Sequence, residues 1–227
     1  MKLLKYRHEW KHQINQSDLL ILRSRLSAIT GRDTHAKDGT YEIRSLYFDN
    51  PTDKVLREKL DGVNKREKFR IRYYNGDTGL IRLEKKSKTN NLCLKQSIAL
   101  TVEQARSISQ GKYDWMATSP EPLIQELYSK IMSQGLRPKV IVDYIREPFV
   151  YAPGNVRITL DYQIRTGLKC TDFLNPDCIT VPIPDSPIIL EVKWDELLPG
   201  HIRDTLRLEH LQWTAFSKYF MCRRFHL

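Results

Sequence analysis

The sequence predicts an α+β protein in which six or more antiparallel strands form a closed or nearly closed sheet with helices packed outside. Three observations carry this. Runs with period-two alternation recur at 66–75, 79–88, 138–149 and 155–164. Asn75-Gly76-Asp77 lies between the first two runs and is a hairpin signal. The intervening helical stretches each carry one apolar stripe, so they cover a sheet face and do not build a core alone. At 227 residues a single domain spanning 1–227 is expected, long enough to bury a core.

The elements follow in order. "SDLLILRSRLSAITG" reads as a helix with Ser17 as N-cap, Leu19, Leu22, Leu26 and Ile29 on one face, and Gly31 past its end. "EIRSLYFDNP" is a strand stopped by an Asn-Pro turn, with Asp49 as a turn-capping carboxylate. Residues 66–75 and 79–88 form the hairpin, and "NLCLKQSIAL" continues the meander. Thr101 and Gln104 make a capping box for a short helix through Ser109. "PEPLIQELYSKIMSQG" is a helix with Leu123, Ile124, Leu127 and Ile131 inward and Gly135 at its end. Strands follow at 138–149, 155–164 and 186–194, and a helical segment at roughly 200–224 closes the chain. Trp194 and Trp213 are expected in the core, and His8 and His12 at the surface or in packing.

The formal charge is +10, from 37 Lys and Arg against 27 Asp and Glu, which points to a polyanionic partner. Four cysteines show no C-x-x-C spacing, as expected of reduced thiols and not of a disulfide framework or a zinc site. No stretch approaches the ~18 apolar residues of a membrane span, and no signal-peptide run opens the chain, so a cytoplasmic protein is expected. There is no G-x-x-x-x-G-K-[ST] loop for nucleotide phosphates.

The charges fall in rows. In "REKFRIRYYN" a strand places Arg66, Lys68, Arg70 and Arg72 on one face, with Phe69, Ile71 and Tyr73 on the other. Two cations ~7 Å apart repel by about 2–3 kcal/mol at an effective dielectric of ~20. Later strands repeat the pattern: Arg82, Glu84, Lys86 and Lys88; Cys93, Lys95 and Ser97; Arg146; Arg157, Thr159 and Asp161; Glu191 and Lys193. One such strand would be an ordinary solvated face. Solvated faces usually interleave both signs, however, and few acids answer these cations. The excess is explained if the polar faces converge on a lumen that holds a polyanion, while the helices cover the apolar faces. A duplex reader would need a convex helix or ribbon. A single-strand binder would interleave aromatics, whereas Phe69 and Tyr73 lie on the opposite parity and only Tyr74 shares it. No specific nucleic-acid partner is expected. Long cationic side chains with one or two carboxylates suit a chain of phosphates and a divalent metal.

Eight pieces in register, "YRHEWKH", "IRSLYFDNP", "KFRIRYYN", "LEKKSK" followed by Lys95, "YIREPF", "VRITLD", "ILEVK" and "FSKY", span residues 6–219. Through them the chain resembles the VTC domain, the polyphosphate polymerase domain of the CYTH-like, triphosphate tunnel metalloenzyme superfamily. The resemblance implies an eight-stranded antiparallel tunnel with helices outside. It also implies transfer of the γ-phosphate of ATP onto inorganic polyphosphate, with Mn2+ or Mg2+. By position, Lys11, Arg70, Arg72, Lys86, Lys95, Arg146, Arg157 and Lys218 match the family's phosphate-binding residues, and Glu191 its metal ligand. Arg70, Arg72, Lys86, Lys95, Arg146 and Arg157 are expected to clamp the reacting phosphates. Lys11, Lys193, Lys218, Arg82 and Lys88 are expected to bind substrate. Glu9 and Glu84 join Glu191 as metal candidates, and with Asp161 they could instead hold cations in place.

The chain departs from the wider pattern. Triphosphate-hydrolysing relatives open with Glu-x-Glu-x-Lys, where this chain has Arg7, Glu9 and Lys11. Fewer carboxylates leave less capacity to activate a hydrolytic water, which favours the polymerase branch. Ala215 stands where the family often has a second lysine. A tunnel triphosphatase and a non-catalytic polyphosphate-binding module are the alternatives. A stand-alone bacterial protein is expected, with the oligomeric state and a membrane partner protein left open.

Overall fold

The computed structural model describes residues 7–89, 92–185, 187–208, 212–213 and 216–224, with backbone only at 92, 212 and 213. In chain order the first elements are β1 (His8–Ile14), α1 (Gln16–Ile29), β2 (Gly31–Arg32), β3 (Tyr41–Asp49) and α2 (Lys54–Leu60). The meander β4 (Arg66–Tyr74), β5 (Asp77–Thr89) and β6 (Leu92–Leu100) precedes α3 (Val102–Ser109) and α4 (Pro122–Gln134). Then come β7 (Arg137–Tyr151), β8 (Val156–Thr166), β9 (Val181–Pro182) and β10 (Ile188–Trp194). The last elements are α5 (Gly200–Thr205), β11 (Gln212–Trp213) and α6 (Lys218–Arg224). Eight of the described strands have seven residues or more, and every pairing with a determined register is antiparallel.

The chain divides into two compact units. One comprises Met1–Glu42, Tyr144–Ile164 and Pro184–Ser217. Its strands run in the order β11-β1-β10-β8 and on to the second half of β7, which also pairs with β2. Leu19, Leu22 and Leu26 of α1 are buried against Phe149, Ile158, Leu160, Leu190 and Val192, with Ile202 of α5. The helix is capped two residues earlier than Ser17. Asn15 is the N-cap: its side chain accepts from Asp18 N at 2.8 Å while Asp18 accepts from Asn15 N at 3.1 Å. Asn15 wins because an acid three residues on closes a reciprocal box, which Ser17 lacks. Ile29 is exposed, not inward, and Gly31 starts β2. Trp194 is buried, as expected, and His8 stacks on it at 5.3 Å.

The other unit comprises Ile43–Asp143, Arg165–Ile183 and Lys218–Leu227. The first half of β7 is followed by β3, β4, β5 and β6. One face of the meander, Phe69, Ile71, Tyr73, Ile81 and Leu83, packs under Ala105 and Ile108 of α3 and Leu123, Ile124, Leu127 and Ile131 of α4. Both helices match expectation in detail. Thr101 and Gln104 form the capping box, and Gly135 ends α4 at φ +69°. Asp49 caps α2, accepting from Asn50, Val55 and Leu56 backbone N–H groups at 2.8, 2.9 and 3.2 Å. In both units the helices therefore cover apolar strand faces and leave the charged ones uncovered by these cores.

The closing helical segment is interrupted. α5 ends at Thr205, β11 pairs with β1 through His12↔Trp213, and α6 begins only at Lys218. Ala215 and the side chain of Trp213 lie outside the described residues. All four cysteines are free thiols. Among the described residues no helix is long and apolar enough to cross a membrane.

Candidate functional site

In the meander unit the hairpin turn has Asn75 at φ +53° and Gly76 at φ +68°, the left-handed pair that a tight primed turn needs. Tyr74 pairs with Asp77, but the register shifts before Arg72, which faces Arg82. Extrapolated from the turn, Arg70 would face Ile81; the irregularity puts it opposite Glu84 instead. Three rungs result across the strands. Tyr47, Arg70, Glu84 and Ser97 form one, and Ser45, Arg72, Arg82 and Ala99 another. The third is Lys68, Lys86 and Lys95, three lysines opposite one another on adjacent strands. Like charges so placed destabilise a sheet unless an anion compensates them.

Glu84 supplies part of that compensation. Its carboxylate is 2 % exposed and accepts from Arg70 Nε at 2.7 Å, with Arg70 Nη2 at 2.6 Å. Arg72 Nη1 lies at 3.9 Å, and Lys95 pairs with the other oxygen. Burial opposes ionisation, but Arg70, Arg72 and Lys95 outweigh it and hold the acid far below the usual carboxylate range. Arg72 also donates to Ser45 Oγ at 3.1 Å and to Tyr74 OH at 3.4 Å. Arg82 and Lys88 share the charged face, and neither has an ion-pair partner among the described residues. Lys218 opens α6, whose next residue, Tyr219, is buried and donates to Asp49.

Sequence reasoning passed over Tyr47. Its phenol is buried and accepts from Arg70 Nη1 at 2.9 Å. Burial alone would raise its pKa, yet the charges of Arg70, Lys68 and Arg72 and the Arg70 hydrogen bond push it down to about 7. A group with a depressed folded pKa stabilises above its unfolded value, near 10, and loses that stabilisation as pH falls through the folded one. The melting-temperature gap between wild type and Tyr47→Phe should therefore widen as pH rises from about 7 toward 10. A gap independent of pH across that window would refute this. Period-two counting from Ser45 could have found Tyr47; Lys68 was visible in the same row as Arg70.

In the other unit, β1 and β10 form a checkerboard. Glu9 faces Lys193 and Lys11 faces Glu191. The Lys11 ammonium bridges the carboxylates, 2.5 Å from Glu9 and 3.3 Å from Glu191, and Lys193 also pairs with Glu191. Burial disfavours the Lys11 charge, but Glu191 and Glu9 more than offset this and raise its pKa. On β8, Thr159 faces Glu191 and Arg157 faces Lys193. Arg146 of β7 grips the fully buried Asp161 in a bidentate pair at 2.7 and 2.8 Å. Arg157 is held by Asp33 at 2.9 Å, a partner from the loop after β2 that no motif announces.

A divalent metal would draw its protein ligands from these carboxylates. Among the described residues no three His, Cys, Asp or Glu side chains gather as ligands. Mg2+ and Mn2+ do not require that, because one or two carboxylates with water and substrate phosphates suffice. Glu191 and Glu9 fit: a single cation, the Lys11 ammonium, already bridges them. Glu84 is surrounded by three cations of its own unit.

Comparisons with known proteins agree on the fold. A protein of Hippeastrum, described as a candidate adenylyl cyclase with a dominant triphosphatase activity, shares 14 % identity at TM-score 0.62, over 96 % of this chain and 95 % of that one. A protein from Bacillus halodurans described as an adenylate cyclase shares 14 % at TM-score 0.53, over 88 % and 86 %. One from Vibrio parahaemolyticus, with the same description, shares 10 % at TM-score 0.51, over 96 % and 97 %. At such identities the likeness shows fold alone, and it is the antiparallel triphosphate-tunnel class expected from the sequence. No curated protein matches. The family model of the VTC domain matches residues 6–226, and the chain belongs to the VTC domain family.

Proposed function

We propose that the chain is a cytoplasmic polyphosphate polymerase that moves the γ-phosphate of ATP onto the end of an inorganic polyphosphate chain. The observation that carries this reading is the state of the carboxylates on the charged faces. Glu84, Glu9, Glu191 and Asp161 are each already engaged by at least one cation. A carboxylate engaged by a cation is a weaker base for water than a free one. A terminal phosphate acceptor is ionised at neutral pH and needs no base, whereas a hydrolytic water must be activated or positioned.

In this reading Arg70, Arg72, Lys86 and Lys95, with Arg82 and Lys88, bind phosphate oxygens in the meander unit. Lys68 joins them. Glu84 keeps Arg70, Arg72 and Lys95 aimed and acts as their counter-ion, not as a metal ligand. In the other unit Arg146, Arg157, Lys11 and Lys193 bind phosphate, and Glu191 with Glu9 would hold Mg2+ or Mn2+. A metal held there would neutralise negative charge on the phosphates. Lys218 adds a further cation. The acceptor oxygen attacks the γ-phosphorus in line, the bond to the β-phosphate oxygen breaks, and ADP leaves. The protein's part is orientation and charge compensation on the transferring group.

A second reading, triphosphate hydrolysis, is favoured by the activity described for the Hippeastrum protein. The products separate the two. Purified protein with ATP and Mn2+ should release ADP together with long-chain phosphate. Free phosphate in place of the chain would make the protein a hydrolase. Binding of polyphosphate with ATP untouched would reduce it to a binding module.

A further inference from the structure

The β8 face beside Glu191 contains a group that this reading does not use. Thr159 is 2 % exposed, and its Oγ1 is buried with no hydrogen-bond partner among the described residues. Buried hydroxyls are nearly always paired, and one left unpaired costs free energy, so an unmet hydroxyl in a charged cluster points to an occupant. The residue is well placed for one. It is the direct cross-strand partner of Glu191, so the two Cβ atoms stand roughly 4.5–5.5 Å apart on one sheet face. Arg157 and Asp161, two residues to either side, share that face, and both are committed, to Asp33 and Arg146. Next to Glu191, on the strand beyond, comes Lys11 with its bridging ammonium.

What occupant suits a threonine at that spot? A phosphate oxygen would find it surrounded by guanidinium and ammonium donors that serve the purpose better. An octahedral divalent cation held by Glu191 and Glu9 would still have positions open to water, phosphate or another protein oxygen. A hydroxyl can supply an oxygen directly, or orient a water in the cation's shell, whereas an alanine or valine there could do neither.

We infer that Thr159 Oγ1 is a further oxygen of the divalent-cation site, beside the Glu191 carboxylate. The inference rests on the reading of Glu191 as a metal ligand, and its test is separable from that reading. Mn2+ affinity is measured without ATP by electron paramagnetic resonance on wild type, Thr159→Val, Thr159→Ser and Glu191→Gln, each checked by thermal melting. Valine matches threonine in shape and exchanges the hydroxyl for a methyl group that cannot ligate a metal. Thr159→Val should bind Mn2+ about tenfold more weakly, and Thr159→Ser should bind like wild type. In metal-free buffer Thr159→Val should melt no lower than wild type, since it removes an unmet polar group. Wild-type Mn2+ affinity in Thr159→Val overturns the inference. If Glu191→Gln loses Mn2+ in that same experiment, the Glu191 reading survives without Thr159. If Glu191→Gln keeps full affinity, both fall.

Discussion

Replacing Glu84 with Gln should lower the melting temperature of the free protein by roughly 10 °C while strengthening its hold on polyphosphate. The first half follows from burial. Removing one member of a buried ion cluster costs about 3–5 kcal/mol because the others stay behind uncompensated. Here Arg70, Arg72 and Lys95 would remain. At about 2–4 °C per kcal/mol for a chain of this size, that gives the expected shift. The second half follows from sign. The same three cations, with the Lys68–Lys86–Lys95 rung beside them, then lack their internal anion, so an external one gains more by binding. The thermal shift on adding polyphosphate should exceed that of wild type. The gap in the free protein also has a pH signature. The folded pKa of Glu84 is depressed, so its stabilisation is complete above the unfolded value near 4.3 and is lost only as pH falls through the folded one. The two proteins should therefore differ as much at pH ~5 as at neutral pH, and converge only in strong acid. A Gln variant that melts with wild type would show that Glu84 does not hold the row together.

That counter-ion was only half legible in the sequence. Glu84 is visible in the row Arg82, Glu84, Lys86, Lys88, because a strand's period of two needs no tertiary information. Which cations it faces depends on register, and the register does not follow from the Asn75-Gly76 turn. The irregularity between Arg72 and Tyr74 intervenes, where Asp77 Oδ1 accepts from Gly79 N at 2.8 Å. Local devices were readable for the opposite reason. The Thr101–Gln104 box and the Gly135 cap each lie within a helical turn of the residues they serve, while the sequence predicts Asp49 as a turn cap but not α2, whose first N–H groups it accepts from. Arg157 shows the other extreme. Its partner Asp33 is 124 positions away in a loop, where neither spacing nor periodicity carries information. Asn15 displaced Ser17 as a cap because the decisive residue was the acid at Asp18, not the cap residue itself.

Glu191→Gln should reduce turnover by a factor of about 10²–10³ or more while leaving the fold in place, and these two effects come from different neighbours. Gln keeps the volume and one acceptor oxygen, so the shape presented to its cross-strand neighbours Thr159 and Lys11 is unchanged. The charge it removes is one of two that bracket Lys11, and Glu9 stays in contact with that ammonium at 2.5 Å. Lys193 loses the charge of its partner Glu191, but its side chain is partly exposed to water and Glu9 remains its cross-strand neighbour. The checkerboard cations thus keep a carboxylate or water beside them, so the melting temperature should move less than in the Glu84 variant. Catalysis has no such reserve. Compensation of charge on the transferring phosphoryl group is the main work of phosphoryl-transfer sites, and losing one preorganised contributor costs about 10²–10³ in rate. Only Glu9 would be left as a carboxylate ligand, beside a lysine that competes for it. The measurement is ADP release at saturating ATP and Mn2+, with melting curves on the same samples. An active, normally melting Glu191→Gln protein would remove the metal from Glu191 and transfer the compensating role to the cations alone. An inactive variant that also melts far lower would place Glu191 with Glu84, as a counter-ion that holds the sheet.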